Sequence, residues 1–275
     1  MGHPDTLRRE RSSRRRAIAP VGIVIACLLP AGLPGRAIGS APGGKAGGPP
    51  PEFTARAILP SHARIAVPLS PDAQGPLPSG WSVREFVGKA DAGWERAGES
   101  FAVRLTSERS SFALYREVAV DIAEYPYLSW AWRVDRLPAG GDARRRDLDD
   151  QAAQLYVVFP SFPAPYQIVG YLWDSTAPVG TILRSVMNPL VRLIVVRSGA
   201  DRLRQWVGEC RNVLEDFRRL FQEDPSEVMR IALLINSQHT RSAAESRFSR
   251  LLFTRDRPEG PAETAATPPL FRPAR

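Results

Sequence analysis

The chain has few of the residues that most often carry covalent or redox chemistry. It contains two cysteines, Cys27 and Cys210, and three histidines in 275 residues. The motifs G-x-S-x-G, H-E-x-x-H and C-x-x-C and a Walker-type phosphate loop are all missing, so the commonest local signatures of hydrolases, zinc enzymes, redox proteins and nucleotide-binding proteins are missing too. Jelly-roll lyases and two-carboxylate glycosidases assemble their sites from distant strands, so this absence does not exclude them.

The apolar stretch at residues 17–33 is too short and too interrupted to span a membrane. Pro20, Gly22 and Pro30 break it, and it falls short of the roughly 20 residues of a spanning helix. Six arginines precede it and small residues follow it, which predicts a cleaved signal peptide over residues 1–39 and a periplasmic or secreted protein. Cys27 ends a lipobox-like VIAC, so lipoprotein anchoring is the alternative, although the apolar sequence continues past Cys27.

The basic charge is concentrated in that leader. Residues 1–39 hold seven arginines against Asp5 and Glu10, a net +5, which leaves about +3 of the formal +8 for the rest of the chain. So small a net charge does not indicate a nucleic-acid-binding surface, and we expect no nucleic-acid partner. Cys210 is then the only cysteine, so the fold depends on packing without a disulfide.

Composition divides the remaining chain into three parts. Residues 40–62 are rich in Gly, Pro and Ala and are predicted to be a disordered tether, and residues 256–275 have a similar character and are predicted to be a disordered tail. Residues 63–255 are predicted to form one domain, which is large enough for a single core.

Eleven segments of this domain have strand character. In residues 125–134, YPYLSWAWRV, the apolar residues Leu128, Trp130, Trp132 and Val134 alternate, so all four would face the core. Only one helix is indicated, beginning after Asn212 and ending before Asp224-Pro225. Many short strands and one short helix predict an all-β fold, an antiparallel jelly-roll-like β-sandwich.

Several segments together resemble a known family. They are LSWAWRV at residues 128–134, the Asp149-Asp150 pair before LYVVF at residues 155–159, and VRLIVVRSG at residues 191–199 followed by Trp206-Val207. In order and spacing they resemble the bacterial family of exported proteins known as domain of unknown function 3047. The resemblance covers residues 69–253 and implies a periplasmic or secreted sandwich similar to carbohydrate-binding modules, with no known activity.

Two positions depart from that family's pattern. Gln154 stands where the family tends to have Arg before its Leu/Val-Tyr-Val strand. Residues 236–240, Asn-Ser-Gln-His-Thr, stand where the family tends to be rich in Asp. If these positions bind an ion or ligand in relatives, the resemblance implies an altered function here.

Three acidic residues are candidates for a metal site. Asp147, Asp149 and Asp150 lie in a loop that enters a strand, and carboxylates with backbone carbonyls suit Ca²⁺. The alternative is a solvated loop whose acids offset the neighbouring residues Arg144, Arg145 and Arg146.

Aromatic and amide residues on neighbouring strands are candidates for a sugar-binding surface. Rings can stack on the C–H face of a sugar while amides and carboxylates bind its hydroxyls. The alternative is that the rings fill the core. The ligand-binding candidates are Gln154, Tyr156, Gln167, Tyr171, Trp173, Asp174 and His239.

Three classes of function remain open. The leading hypothesis is an exported domain that binds a polysaccharide or another envelope component. The second is a polysaccharide-acting enzyme, a glycosidase or lyase, with Asp150, Asp174 or His239 as acid/base candidates. The third is a structural or protein-interaction domain, which a broad exposed apolar patch would favour.

Overall fold

The protein is a sandwich of two β-sheets. This computed structural model describes residues 64–72, 75–98 and 100–258. The predicted signal peptide, the tether and all but the first three residues of the predicted tail lie outside the described residues. Among the described residues, no helix is long and apolar enough to cross a membrane.

Thirteen strands and one α-helix make up the described part. The strands are β1 Arg64–Val67, β2 Ser82–Val87, β3 Asp91–Ala97, β4 Ser100–Glu108, β5 Ser111–Val120, β6 Tyr127–Arg136, β7 Ala153–Pro160, β8 Tyr166–Asp174, β9 Ile182–Arg184, β10 Val191–Ser198, β11 Val207–Asn212, β12 Val228–Asn236 and β13 Ala243–Thr254. Helix α1 spans Val213–Phe221, between β11 and β12.

The strands form sheets of six and seven members. Sheet A has the order β11-β6-β13-β4-β3, with β1 paired to β13, and sheet B has the order β2-β5-β12-β7-β8-β10-β9. All strand pairs are antiparallel except β8 with β10, which run parallel. The predicted all-β antiparallel sandwich with one short helix is confirmed, apart from that parallel pair.

The core lies between the two sheets. The predicted alternation in β6 is confirmed, because Leu128, Trp130, Trp132 and Val134 are all buried there. Sheet B contributes rings from the facing side: Tyr171 stacks on Trp130 with ring centroids 5.2 Å apart.

Helix α1 begins as the sequence predicts. The Asn212 side chain accepts a hydrogen bond from the Glu215 backbone N–H at 3.1 Å, which satisfies one of the free donors at the helix start. The helix ends at Gln222, a left-handed residue with φ 61°. Strands β3 and β9 were not predicted, because β3 carries Gly93 and few alternating apolar residues and β9 has only three residues.

The outer face of sheet B is also apolar, which is unusual for a face that could meet solvent. Its buried residues include Ala113, Val158, Ile168, Leu193 and Ala232. Loop residues such as Ala143 and Ala177 pack against it, so the loops before β7 and after β8 cover part of this face. The part near the start of β7 and the end of β12 holds the candidate site.

Candidate functional site

A small cleft, with a cavity volume of about 30 Å³ and a mostly buried lining, lies on the outer face of sheet B, where β5 and β7 begin and β12 ends. Its floor is apolar, and the loops before β7, after β9 and after β12 supply its walls. The lining residues are Phe86, Ser111, Asp149, Gln151, Gln154, Tyr156, Ser185, Met187, Leu193, Leu234, Ile235, Asn236, Gln238 and His239.

A buried network of amides fixes the centre of the cleft. Asn236 Oδ1 accepts hydrogen bonds from the Gln151 backbone N–H and from Gln154 Nε2, each at 2.8 Å. Gln154 Oε1 in turn accepts a hydrogen bond from Tyr156 Oη at 2.8 Å. Asn236 Nδ2 donates to the Asp149 carbonyl at 2.6 Å. Each amide therefore has its orientation set by its neighbours, and the network ties the loop before β7 to the end of β12.

The network joins strands β7 and β12 through their side chains. Gln154 and Asn236 are far apart in the sequence but hydrogen-bond each other directly. Their strands β7 and β12 are neighbours in sheet B, and Leu234 pairs with Gln154. Gln154 and Asn236 therefore shape a single site.

A histidine and a buried aspartate meet at one wall of the cleft. His239 Nδ1 lies 3.3 Å from Asp150 Oδ1 and 3.1 Å from the Asp149 carbonyl. Asp150 Oδ2 accepts hydrogen bonds from the Thr240 backbone N–H at 2.6 Å and hydroxyl at 2.8 Å. The hydrogen bond to Asp150 raises the pKa of His239, although partial burial opposes this effect. The Asp150 carboxylate thus orients the ring and favours its protonated form.

Asp149 lies beside this pair with a different environment. Its side chain is 7% exposed, and Oδ1 accepts a hydrogen bond from Gln151 Nε2 at 3.1 Å. Burial raises the pKa of Asp149 to about 6, because desolvation disfavours the carboxylate more than Gln151 and His239 favour it.

The three metal candidates do not converge. Asp147 is exposed and pairs with Arg145, Asp149 accepts from Gln151, and Asp150 is held by Thr240 and His239. Within the described ranges, no three His, Cys, Asp or Glu side chains gather in a way that could hold a metal ion. Calcium binding stays a prediction, and a calcium titration that leaves the melting temperature unchanged would remove it.

The proposed aromatic surface of Tyr171 and Trp173 is wrong, because both rings lie in the core between the sheets. Trp173 meets Trp132 edge-on at 5.8 Å and donates from Nε1 to the Gly199 carbonyl at 3.1 Å. Tyr171 donates to Asp216 Oδ2 at 2.9 Å. Alternate residues of β8 face opposite sides, and the side shared by these two rings is the one that faces sheet A.

Two further candidates also lie outside the cleft. Gln167 is on the core-facing side of β8 but at its far end, where it hydrogen-bonds Glu223 after α1. The Asp174 carboxylate accepts from the backbone N–H groups of Ala143, Thr176 and Ala177, at 2.9, 2.8 and 2.7 Å. Asp174 therefore holds the loops at the end of β8 together. Of the seven candidates, the cleft collects Gln154, Tyr156 and His239.

Several cleft residues carried no signal of their own in the sequence. Gln151, Ser111 and Gln238 are ordinary polar residues at strand ends, and Phe86 is one apolar residue of β2. The pairing of β12 with both β5 and β7 brings them together. The one available signal was the position of polar residues at the start of β5 and β7 and at the end of β12, three strongly apolar strands.

By its fold and its site, the protein is a β-sandwich domain with a cleft of apolar floor and polar walls on the outer face of one sheet. The chain belongs to the family described as "Protein of unknown function (DUF3047)", whose model matches residues 79–252. No curated protein matches the chain.

Solved structures with similar arrangements are sandwich domains of low sequence identity. A family 11 carbohydrate-binding module of Clostridium thermocellum is 8% identical with a TM-score of 0.36, covering 70% of this chain and 94% of the module. The K2 cleaved adhesin domain of Lys-gingipain is 10% identical with a TM-score of 0.38, covering 70% and 98%. The xyloglucanase domain of NopAA, a type three effector from Sinorhizobium fredii, is 10% identical with a TM-score of 0.38, covering 64% and 94%.

Proposed function

We propose that the protein is exported and that its cleft binds a sugar unit of a polysaccharide or of another polyhydroxylated envelope component. The observation that carries this proposal is the pairing of an apolar floor with amide walls in one cleft. The floor includes Leu193 and Leu234, and the walls include Gln151, Gln154 and Gln238.

This lining offers both kinds of contact that a sugar makes, but its cavity of about 30 Å³ must widen, by movement of the surrounding loops, to admit a sugar ring. The C–H face of a sugar ring needs apolar contact, and its hydroxyls need groups that both donate and accept hydrogen bonds. Primary amides do both. The hydrogen-bonded network fixes several of these amides in advance, so a ligand loses less free energy in ordering them.

Gln238 is the residue through which binding is best tested. It lines the cleft, and its Oε1 is buried without a hydrogen-bond partner among the described residues. A hydroxyl of the ligand would satisfy this acceptor. Gln238→Ala removes the 3.1 Å contact of Gln238 Nε2 with His239 Nδ1 but leaves the hydrogen bonds of Gln154, Tyr156 and Asn236 to one another intact, so the fold should persist.

The experiment is thermal melting and calorimetric titration of the purified protein with neutral, amino and acidic polysaccharides. A bound sugar raises the stability, by about 2.7 kcal/mol at a hundredfold excess over the dissociation constant. We expect Gln238→Ala to weaken binding about tenfold or more. Gln167→Ala, an amide variant at the far end of β8, should bind like the wild type. Absence of binding to every polymer, or equal loss in both variants, would contradict the proposal.

A second candidate function is cleavage of the bound glycan. The observation that favours it is the contact between His239 and the buried Asp150, with the carboxyl of Asp149 close by. An imidazole oriented by a carboxylate can take up a proton near neutral pH, and a carboxyl with a raised pKa can donate one. His239 would then be the base and Asp149 the acid of a glycosidase or lyase.

Product analysis separates the two functions. Incubation with a polymer that binds would release new reducing ends if the site is catalytic, and His239→Gln would abolish their release while leaving most of the binding. Stable binding without products would assign a binding domain.

A further inference from the structure

The buried carboxylates of this domain are compensated, with Asp149 as the exception within the part of the chain that the structure describes. Each of the others has a cation or several N–H and O–H donors against it. The pairs are Asp142 with Arg144, Glu209 with Arg197 and Asp216 with Arg211, while Asp150 is held by Thr240 and His239 and Asp174 by three backbone N–H groups.

Asp149 has much weaker compensation. Its carboxylate accepts one side-chain hydrogen bond, from a neutral amide, Gln151. Because an uncompensated buried carboxylate lowers stability, its presence in a cleft points to a role toward a ligand.

The charged residues that line the cleft are one carboxylate, Asp149, and one histidine, His239. Its lining includes Asp149 and His239 but neither Lys nor Arg, and the positive charge of His239 is matched by Asp150. Arg146 comes near the wall after β9, but its guanidinium donates to the Val186 carbonyl. A ligand carboxylate or sulfate would therefore meet the Asp149 carboxylate with the His239 imidazole as the cation of the lining, and Asp150 already pairs with that ring.

The cleft also has a surplus of acceptors. Gln238 Oε1 has no donor from the described residues, and Asp149 is only lightly hydrogen-bonded. A protonated amine carries three N–H donors, a positive charge and no acceptor, so it complements both groups.

We propose that Asp149 makes the cleft selective for amine-bearing ligands, such as sugars with a free amino group, over uronic acids. This inference rests on the proposed function, because it names the chemical class that the same cleft takes. Asp149 receives the ammonium group, and the amides receive the hydroxyls.

The experiment measures binding of four probes to the purified protein: D-glucosamine, D-glucose, D-glucuronate and methylammonium chloride, with sodium chloride as the salt control. Titration is followed by NMR chemical shifts of the protein at pH 7.5. We expect glucosamine to bind at least about tenfold more tightly than glucose, and glucuronate to bind most weakly. Asp149→Asn should remove the preference, and its amide oxygen can still accept the Gln151 hydrogen bond, so the fold is retained.

The pH dependence gives a second measure. Burial raises the pKa of Asp149 to about 6, so the preference for glucosamine should decline below that pH while the amine stays protonated. The other titratable groups facing Asp149 are His239, Asp150, Asp174 and Tyr156. The pKa of His239 is raised above its usual 6.5 by Asp150, so on lowering the pH this ring gains its positive charge before Asp149 loses its negative charge. Asp149→Asn therefore serves as the control that isolates the carboxylate.

The outcomes distinguish this inference from the proposed function. Equal binding of glucosamine and glucose, or a preference for glucuronate, overturns the amine selectivity and leaves sugar binding standing. Binding of methylammonium to the wild type but not to Asp149→Asn, with no sugar bound, supports the amine site and overturns the sugar-binding function. No binding of any probe overturns both.

Discussion

Asp149→Asn should stabilise the protein at neutral pH, although it removes a residue of the candidate site. The pKa of Asp149 is raised by burial from its ordinary value of 3.8 to about 6. Keeping this carboxylate ionised in the folded chain therefore costs about 3 kcal/mol above pH 6. Asparagine has the same shape, retains an acceptor for Gln151 and carries no charge, so the cost disappears.

Because the pKa of Asp149 is raised in the folded chain, the stability of the wild type depends on pH in a defined direction. Between about pH 4 and 6 the unfolded chain releases the Asp149 proton while the folded chain retains it, so the stability of the wild type falls as pH rises through this window. Below about pH 3 the carboxyl is protonated in both states and contributes no difference. The stability of Asp149→Asn relative to the wild type should therefore rise by about 3 kcal/mol between pH 3 and pH 8.

Urea unfolding of both proteins at a series of pH values measures this difference. The charge of Asp149 contributes to the raised pKa of His239, so the titration of that ring is followed by NMR in both proteins and its contribution is subtracted. A constant difference between pH 4 and 8 would refute the account of an uncompensated carboxylate, and so would a variant that loses stability at pH 8.

Three further predictions concern the core, the helix and the histidine. Trp173→Ala should destabilise the fold by about 3–5 kcal/mol in urea unfolding, because it empties a core position against Trp132; an unchanged midpoint would contradict the buried assignment. Asn212→Ala should lower stability by about 1 kcal/mol through loss of the helix cap, and calorimetry would detect the lower melting temperature; no change would mean that the cap contributes nothing. Asp150→Asn should lower the pKa of His239, because the carboxylate that favours the imidazolium is removed; an NMR titration of the ring with an unchanged midpoint would count against that contact.

Much of the fold follows from local patterns in the sequence. Alternation in β6 places Trp130 and Trp132 in the core, and Asn212 marks the start of α1. Strand β3 gave no such pattern because it is the outermost strand of sheet A, where burial is incomplete. The parallel pairing of β8 with β10 was not predictable either. The chain forms β9 after β8, and β9 then pairs antiparallel with the outer side of β10.

The site was less predictable than the fold. The alternation of β8 predicts that Tyr171 and Trp173 share a face, but it does not tell which face is covered by the other sheet. Because both faces of sheet B are apolar, hydrophobicity could not distinguish the core from the outer face. Gln154 and Asn236 are in contact through strand pairing across more than 80 residues, which local pattern does not encode.

The most direct test of the central claim is a calorimetric titration of the purified protein, Gln238→Ala and Gln167→Ala with the polysaccharide that gives the largest rise in melting temperature. We expect saturable binding to the wild type and to Gln167→Ala, and binding weakened about tenfold or more in Gln238→Ala. Equal affinities for all three proteins would place the sugar elsewhere on the sandwich, and no binding to any polymer would contradict the claim that the cleft takes a sugar.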